Sequence, residues 1–285
     1  MGLPLPWPFD RDYMQLALVV GLLIGLCAPL VGAFLVQKQL SLLGDGLGHL
    51  AFAGVAAGLL LALAPLWTAM AVAVLGALAV EWLRSRGRTS GDLALALFFY
   101  GGIAAGAVLA SRAAAEGASV NVLPYLFGSI LTVRSADVWV IAGIGIAILV
   151  LLALSGRALL AVVLDEESAR VAGLPVDGLN GLLAVLTAVT VVAAMNVVGV
   201  LLIAALMVLP VASSRLVARS FRATLLGASA VGVVSAVLGL AAARAWGLAP
   251  GGAIVLVACA IFLATTAVTG VRRGVVAGLL DGPGH

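Results

Sequence analysis

The stretch LNGLLAVLTAVTVVAAMNVVGVLLIAALMVLPV, residues 179–211, runs for 33 positions without a charged residue. As one α-helix it would be about 50 Å long, because each residue adds about 1.5 Å. The hydrocarbon core of a bilayer is about 30 Å thick and takes about 20 residues. The stretch is therefore too long for one upright span and short for two. We predict two spans that divide at Met195-Asn196; a single tilted helix is the alternative, and it would lower the span count by one.

Apolar runs of similar length recur along the whole chain. Its 285 residues are 64% hydrophobic and 9% charged, with a mean hydropathy of +1.27, whereas soluble domains carry roughly 25% charged residues. In lipid only helices and closed barrels satisfy their backbone groups, and the runs lack the period-two alternation of barrel strands. The sequence therefore predicts an all-α integral membrane protein, a polytopic helical bundle of eight or nine spans in a single domain over residues 1–285. We place the spans at residues 13–36, 46–64, 66–83, 93–110, 136–154, 179–195, 197–213, 223–245 and 251–270.

The basic residues that flank these spans predict the orientation of the chain. Connections on one side hold eleven Lys and Arg residues and those on the other hold four. Cytoplasmic connections carry the basic excess, so we expect the N-terminus outside and the C-terminus in the cytoplasm of a multi-pass cell-membrane protein. The net charge of +3 follows from these flanking residues, and we assign no nucleic-acid partner.

The longest polar segment, residues 155–178, lies on the predicted cytoplasmic side and contains a short helix. Asp165 is a suitable N-cap, and the acids after it favour the positive end of the helix dipole. Gly173 suits the left-handed position that follows a helix, and Pro175 prevents its continuation. A helix of about two turns is expected here.

Asp45 and His49 are the ionisable residues that cannot reach a membrane interface. Counted from Lys38 at the inner boundary, they lie about 10 Å and about 16 Å into the membrane. Their i, i+4 spacing puts both side chains on one helix face, about 6 Å apart. Oxygen and imidazole ligands together suit zinc, manganese or ferrous iron better than calcium or magnesium. The spacing alone also fits a hydrogen-bonded pair that locks two helices and, less well, a proton relay.

Asn196 is a further polar residue in an apolar environment. It either lines a pathway for the ligand or forms a helix–helix hydrogen bond or a turn. No phosphate-binding G-x-x-x-x-G-K-[ST] motif and no protease or hydrolase motif occurs in the sequence, so any ATP that drives this protein is hydrolysed by another polypeptide. We assign no catalytic residue to this chain.

Four segments in order resemble the ABC-3 (ZnuB-like) family of zinc, manganese and iron ABC transporter permeases. Residues 41–49, SLLGDGLGH, with GVA at 54–56, resemble the G-D-x-x-x-H segment of that family. Residues 198–212, VGVLLIAALMVLPVA, resemble its V-G-x-L-L-x-x-A-L-x-x-x-P-A-A stretch. Residues 165–173, DEESARVAG, look like its cytoplasmic coupling segment, and PGGA at 250–253 like the entry to its last helix.

The resemblance implies the permease subunit of an importer for zinc, manganese or iron, without a permanently bound cofactor. Its partners would be a second copy of the chain, cytoplasmic ATPase subunits, an extracytoplasmic metal-binding protein and membrane lipid. The metal site would comprise Asp45, His49 and, less directly, Asn196. The residues that couple the permease to the ATPase would be Asp165, Glu166, Glu167, Ala169, Arg170 and Gly173.

Two other functions fit the same composition. An ion- or proton-coupled secondary transporter would use the same polar pair and work without an ATPase. A membrane-embedded enzyme would need more groups than one acid and one histidine. The secondary transporter is the main alternative to the ABC permease.

Overall fold

The computed structural model describes residues 6–86, 91–116, 123–129, 135–195 and 198–280. These residues form α-helices and no strand, as predicted. The helices are α1 (Asp12–Gln37), α2 (Leu43–Leu60), α3 (Pro65–Ser85), α4 (Gly91–Ala115), α5 (Leu123–Phe127), α6 (Ser135–Leu164), α7 (Glu166–Val171), α8 (Val176–Ala194), α9 (Val200–Arg215), α10 (Phe221–Trp246) and α11 (Pro250–Leu280).

Eight of these helices are long and apolar enough to cross a membrane, namely α1, α2, α3, α4, α6, α8, α10 and α11. The ninth predicted span corresponds to α9, which has 16 residues and is about 24 Å long. The prediction of eight or nine spans is confirmed, and α9 is the helix that decides between the two counts.

The long apolar stretch that opens at residue 179 does break where the sequence predicts. Helix α8 ends at Ala194, and α9 begins at Val200 after Gly199, whose φ is +88°. A side chain at Gly199 would also meet the backbone of α5, since its Cβ would lie 2.4 Å from the carbonyl oxygen of Leu126. The positive φ and the close approach both require glycine here.

The two ends of the bundle are distinguished by the short helices α5 and α7. Lys38, Arg84 and Asn180, which belong to the end of α1, the end of α3 and the start of α8, lie beside α7. Gly199 and Gly251, at the starts of α9 and α11, lie against α5. We call these the α7 end and the α5 end.

Helix α2 lies inside the bundle and packs against α3, α4, α8 and α9. Its faces are lined with glycine, which allows close approach: a Cβ on Gly54 would lie 2.6 Å from the Cα of Ala69 in α3. A helix this glycine-rich has a low intrinsic propensity, so its surroundings hold it in place. The fold thus puts the helix that carries Asp45 and His49 at the centre of the molecule.

Candidate functional site

Asp45 lies in the first turn of α2, and His49 lies one turn further along the helix. The Nε2 atom of His49 is 3.8 Å from Oδ1 of Asp45. Hydrogen bonds between nitrogen and oxygen span about 2.7–3.2 Å, so the pair is close without being hydrogen-bonded. Bonds from a metal to carboxylate oxygen or imidazole nitrogen are about 2.0–2.2 Å. One cation between the two groups can therefore reach both.

The walls around the pair are apolar and come from neighbouring helices. The ring of Phe99 in α4 meets the imidazole of His49 edge-on, with centroids 4.5 Å apart. Gly102 lies one turn further along α4, and a Cβ there would be 2.9 Å from the carbonyl carbon of His49. The side chain of His49 is 10% exposed and that of Asp45 is 29% exposed. The carboxylate is thus the more accessible of the two side chains.

This chain offers two side chains for a cation at this position. Within the described ranges, no group of three or more His, Cys, Asp or Glu residues is placed to hold a metal ion. Stable zinc sites in proteins use three or four protein ligands. Two ligands suit an ion that stops briefly and keeps some of its water, or that takes further ligands from another chain.

Asn196 lies outside the described residues, so its predicted role stays a prediction. The described residues nearest to it in the chain, Met195 and Val198, are fully buried.

The predicted cytoplasmic helix is present as α7, with the expected residues at both ends. Asp165 accepts hydrogen bonds from the backbone N–H groups of Glu167 and Ser168, at 3.0 and 3.1 Å. Hydrogen bonds from the hydroxyl and then the backbone of Ser168 lower the pKa of Asp165 below its usual value. Gly173 has a φ of +82°, and the N–H of Leu174 donates to the carbonyl of Ala169, which is the hydrogen bond of a Schellman cap.

The predicted coupling residues occupy different faces of this segment. Glu167 is exposed, whereas Ala169 is buried against the bundle. Arg170 donates to Asp177 at the start of α8, at 3.0 Å. Glu166 turns inward, and it belongs to a group of polar residues that sequence reasoning missed.

This group, which we call the α7 ion cluster, consists of Lys38, Glu81, Arg84, Glu166 and Asn180. One carboxylate oxygen of Glu166 accepts from Lys38 Nζ at 2.8 Å, from Arg84 at 3.1 Å and from the amide of Asn180 at 3.2 Å. Arg84 also binds both carboxylate oxygens of Glu81, and Lys38 donates to Asn180. The cluster thus joins α7 to the ends of α1 and α3 and to the start of α8.

Electrostatics favours the charged form of Glu166. Partial burial raises the pKa of this carboxyl, but the hydrogen bonds and charges of Lys38 and then Arg84 outweigh burial and hold the pKa at about 2. Lys38 is the chain's one lysine, and its side chain is only 7% exposed. A buried ammonium needs such partners, but the burial of Lys38 is visible only in the structure.

Comparison with models of known protein families identifies the family of this chain. The model of the ABC 3 transport family matches residues 10–269. The chain belongs to the ABC 3 transport family. The resemblance predicted from four short segments is thereby confirmed over most of the sequence.

Relatives of this ABC 3 chain match it over nearly their full length. It is 32% identical to the manganese import system permease protein ScaB of Streptococcus gordonii, covering 89% of this chain and 90% of the relative. It is 31% identical to the manganese transport system membrane protein MntC of Halalkalibacterium halodurans, covering 88% and 85%. The solved structure of PsaBC from Streptococcus pneumoniae in complex with Fab matches with a TM-score of 0.80 and 31% identity, covering 90% of this chain and 92% of that one.

Membership of the ABC 3 family makes this chain the membrane-spanning permease of an ABC importer. Its ATP is hydrolysed on a separate subunit, so the secondary transporter is no longer the competing interpretation.

Proposed function

We propose that this ABC 3 permease moves a divalent transition-metal ion past Asp45 and His49, with manganese the first candidate. The observation that carries the proposal is the pair itself: an acid and an imidazole 3.8 Å apart on a helix inside an apolar bundle. Ionisable residues within a membrane are costly and mark transport pathways. The names of ScaB and MntC, which both specify manganese, favour this ion over zinc or iron, although the same ligands suit all three.

Transport requires that the ion leave as readily as it enters, and two ligands meet this requirement. Asp45 is the more exposed group and would receive the cation first, while His49 sits deeper among α4 side chains. Water or the equivalent pair of a second copy of the chain would fill the remaining positions. Binding that is weak and multi-site lets an ion pass, whereas a complete four-ligand cage would trap it.

We assign the ATPase contact to the outward face of α7. Glu167 is exposed there, and Asp165 and Gly173 fix where the helix begins and ends. We expect Glu166 to have another role, because its carboxylate is already held by Lys38 and Arg84. Since Lys38 lies five residues before Leu43, where α2 begins, the ion cluster would pass a displacement of α7 to α2.

The α7 end would then face the cytoplasm, and the N-terminus of the chain would lie outside. This orientation follows from the basic excess near α7 and from the need for a cytoplasmic ATPase to reach that helix. An extracytoplasmic metal-binding protein would deliver the ion at the α5 end.

Reconstitution into proteoliposomes tests the function directly. The permease, its ATPase and its metal-binding protein are assembled together, and manganese uptake is followed with and without ATP. Uptake should require ATP and all three components, and zinc and ferrous iron should be tested as competitors. Manganese uptake by the permease alone would overturn the proposal, because a carrier that needs no ATPase would then be present.

A further inference from the structure

A cavity of about 290 Å³ opens at the α7 end, away from the metal site. It lies between the last turns of α1 and α6 and the connection from α9 to α10. Leu160, Leu164 and Phe221 line its apolar side, and Arg215 and Arg219 line its polar side. The lining thus combines apolar side chains with two cations.

The cations at this cavity form no ion pair with an acid among the residues that the structure describes. Arg215, Arg219 and the nearby Arg222 are all exposed. The ion pairs found across the described residues involve none of the three. Arg215 lies in the last turn of α9, where a helix favours a cation, but this position explains one arginine and leaves Arg219 unaccounted for.

The two acids that follow the cavity wall most closely in sequence are already engaged elsewhere. Asp165 follows directly after Leu164, a residue of the cavity wall, yet its carboxylate caps α7 through Glu167 and Ser168. The next residue, Glu166, is held by the ion cluster. The positive charge at the cavity is therefore left for a ligand.

The apolar wall limits what that ligand is. Phe221 packs edge-on against Phe34, with ring centroids 5.1 Å apart, and so belongs to the packed interior of α1 and α10. Leu164 remains 62% exposed. The cavity also includes Gln37, which precedes Lys38, the residue that marks the predicted inner boundary of the membrane. The cavity therefore lies at the depth of phospholipid headgroups.

We propose that this cavity binds the headgroup of an anionic phospholipid, with Arg215 and Arg219 on the phosphate and the glycerol backbone against Leu160, Leu164 and Phe221. Basic pockets between helices on the cytoplasmic side of membrane proteins suit such headgroups. A soluble phosphate shares the charge but gains nothing from the apolar wall. An acidic protein surface would meet the exposed arginines but would leave the cavity unfilled.

The test uses the intact permease–ATPase complex in nanodiscs of phosphatidylcholine with increasing phosphatidylglycerol. Native mass spectrometry counts the anionic lipids retained after transfer to detergent. The variant Arg215→Gln with Arg219→Gln is compared with Arg86→Gln combined with Arg157→Gln. This control removes the same charge from residues that do not line the cavity.

The wild type and the control should retain phosphatidylglycerol, and the cavity variant should bind it about 30-fold more weakly, or about fivefold for each arginine. Equal retention in all three proteins overturns the proposal. Displacement of the lipid by millimolar glycerol phosphate would identify a soluble anion as the ligand instead. Loss of ATPase co-purification in the cavity variant alone would assign the arginines to the ATPase contact and would also overturn it. None of these outcomes depends on metal transport.

Discussion

Two groups of polar side chains interrupt this apolar bundle, and they differ in how fully their partners satisfy them. At the centre, Asp45 and His49 lie 3.8 Å apart with Phe99 and other apolar groups around them. At the α7 end, one oxygen of Glu166 receives three donors, from Lys38, Arg84 and Asn180. Among the described residues no hydrogen bond holds the first group, whereas every member of the second is hydrogen-bonded or ion-paired to another member.

This difference indicates two kinds of role. A buried polar network in which every member is paired stiffens the structure around it. A polar pair without further partners costs free energy in an apolar environment, and a passing cation would offset that cost. We therefore expect the α7 ion cluster to act within the chain and the central pair to act on an ion that enters from outside.

Removal of the central ligands should have the largest effect. In Asp45→Ala and in His49→Ala, manganese uptake should fall at least about 100-fold, because even outer-shell partners of metal ligands cost about 10–100-fold when removed. Uptake into proteoliposomes measures the loss, and ATPase co-purification should remain. Glu116→Gln, an exposed acid paired with Arg112, is the matched control. Wild-type uptake in both alanine variants would remove the site assignment.

Reversal of charge on the outward face of α7 should abolish assembly instead of ion passage. Glu167→Lys should lose association with the ATPase, since the exposed acid would become a cation at the contact. Affinity purification of the tagged permease measures how much ATPase is retained. Glu116→Lys makes the same reversal at an exposed position just after α4 and should retain the ATPase. Unchanged co-purification of the Glu167 variant would count against α7 as the docking helix.

Adjacent glycines on α4 provide a sharper test of the central site. Gly102→Ala puts a methyl group 2.9 Å from the backbone of His49, and overpacking of this kind costs about 1–3 kcal/mol. Uptake should fall by about tenfold as α4 and α2 separate. Gly101→Ala has no atom within 4 Å of its new methyl group and should behave as wild type. Equal uptake in the two variants would show that the packing of α4 on α2 does not shape the pathway.

Loss of the Glu166 charge should weaken the coupling between ATP hydrolysis and metal transport, because the α7 ion cluster would transmit movement of α7 to the helix that carries Asp45 and His49. Glu166→Gln should keep the ATPase bound, because its carboxylate faces Lys38 and Arg84 and not the outer face of α7. The metal transported per ATP hydrolysed should fall a few-fold, and that ratio is the measurement. Asp177→Asn, an exposed acid near α7 that pairs with Arg170, should leave the ratio unchanged. A Glu166→Gln variant that couples as well as wild type contradicts transmission through the cluster.

The smallest effect concerns pH. The pKa of Glu166 is about 2 in the folded chain against about 4.3 for an ordinary glutamate. Its charge therefore stabilises the fold fully above about pH 4.3, and this contribution is lost as the pH falls toward 2. The Tm difference between wild type and Glu166→Gln should stay constant from about pH 5 to 8, measured by thermal denaturation. A difference that changes within this range would mean that Lys38 and Arg84 do not hold the carboxylate.

The two polar groups also differ in how well the sequence predicted them. Asp45 and His49 are one helical turn apart, so helix geometry alone placed them on a common face. Asp165 and Gly173 were recognised as caps for the same reason, because capping depends on neighbours within a few residues. The ion cluster was missed, because Arg84 and Glu166 are 82 positions apart.

Glu166 shows that local sequence patterns do not reveal which way a side chain on a short helix points. The sequence grouped it with Glu167 on one coupling helix, and the structure turns the two carboxylates to different sides. Only the packing of α7 against the ends of α1 and α3 makes that distinction. The basic cavity beside Leu164 has the same origin, since its lining comes from helices that are distant in the chain.

The sequence by itself determined that this chain is an all-helical membrane protein and where its helices lie. It also identified Asp45 and His49 as the ionisable residues within the apolar interior. These properties depend on the cost of transferring polar groups into lipid and on the regular period of the α-helix, and both can be read from short stretches. The tertiary structure decided that α2 is surrounded by four helices, that the one lysine binds Glu166, and that α7 is joined to the segment just before α2. Those properties depend on contacts between distant segments, and such contacts form only when the chain packs.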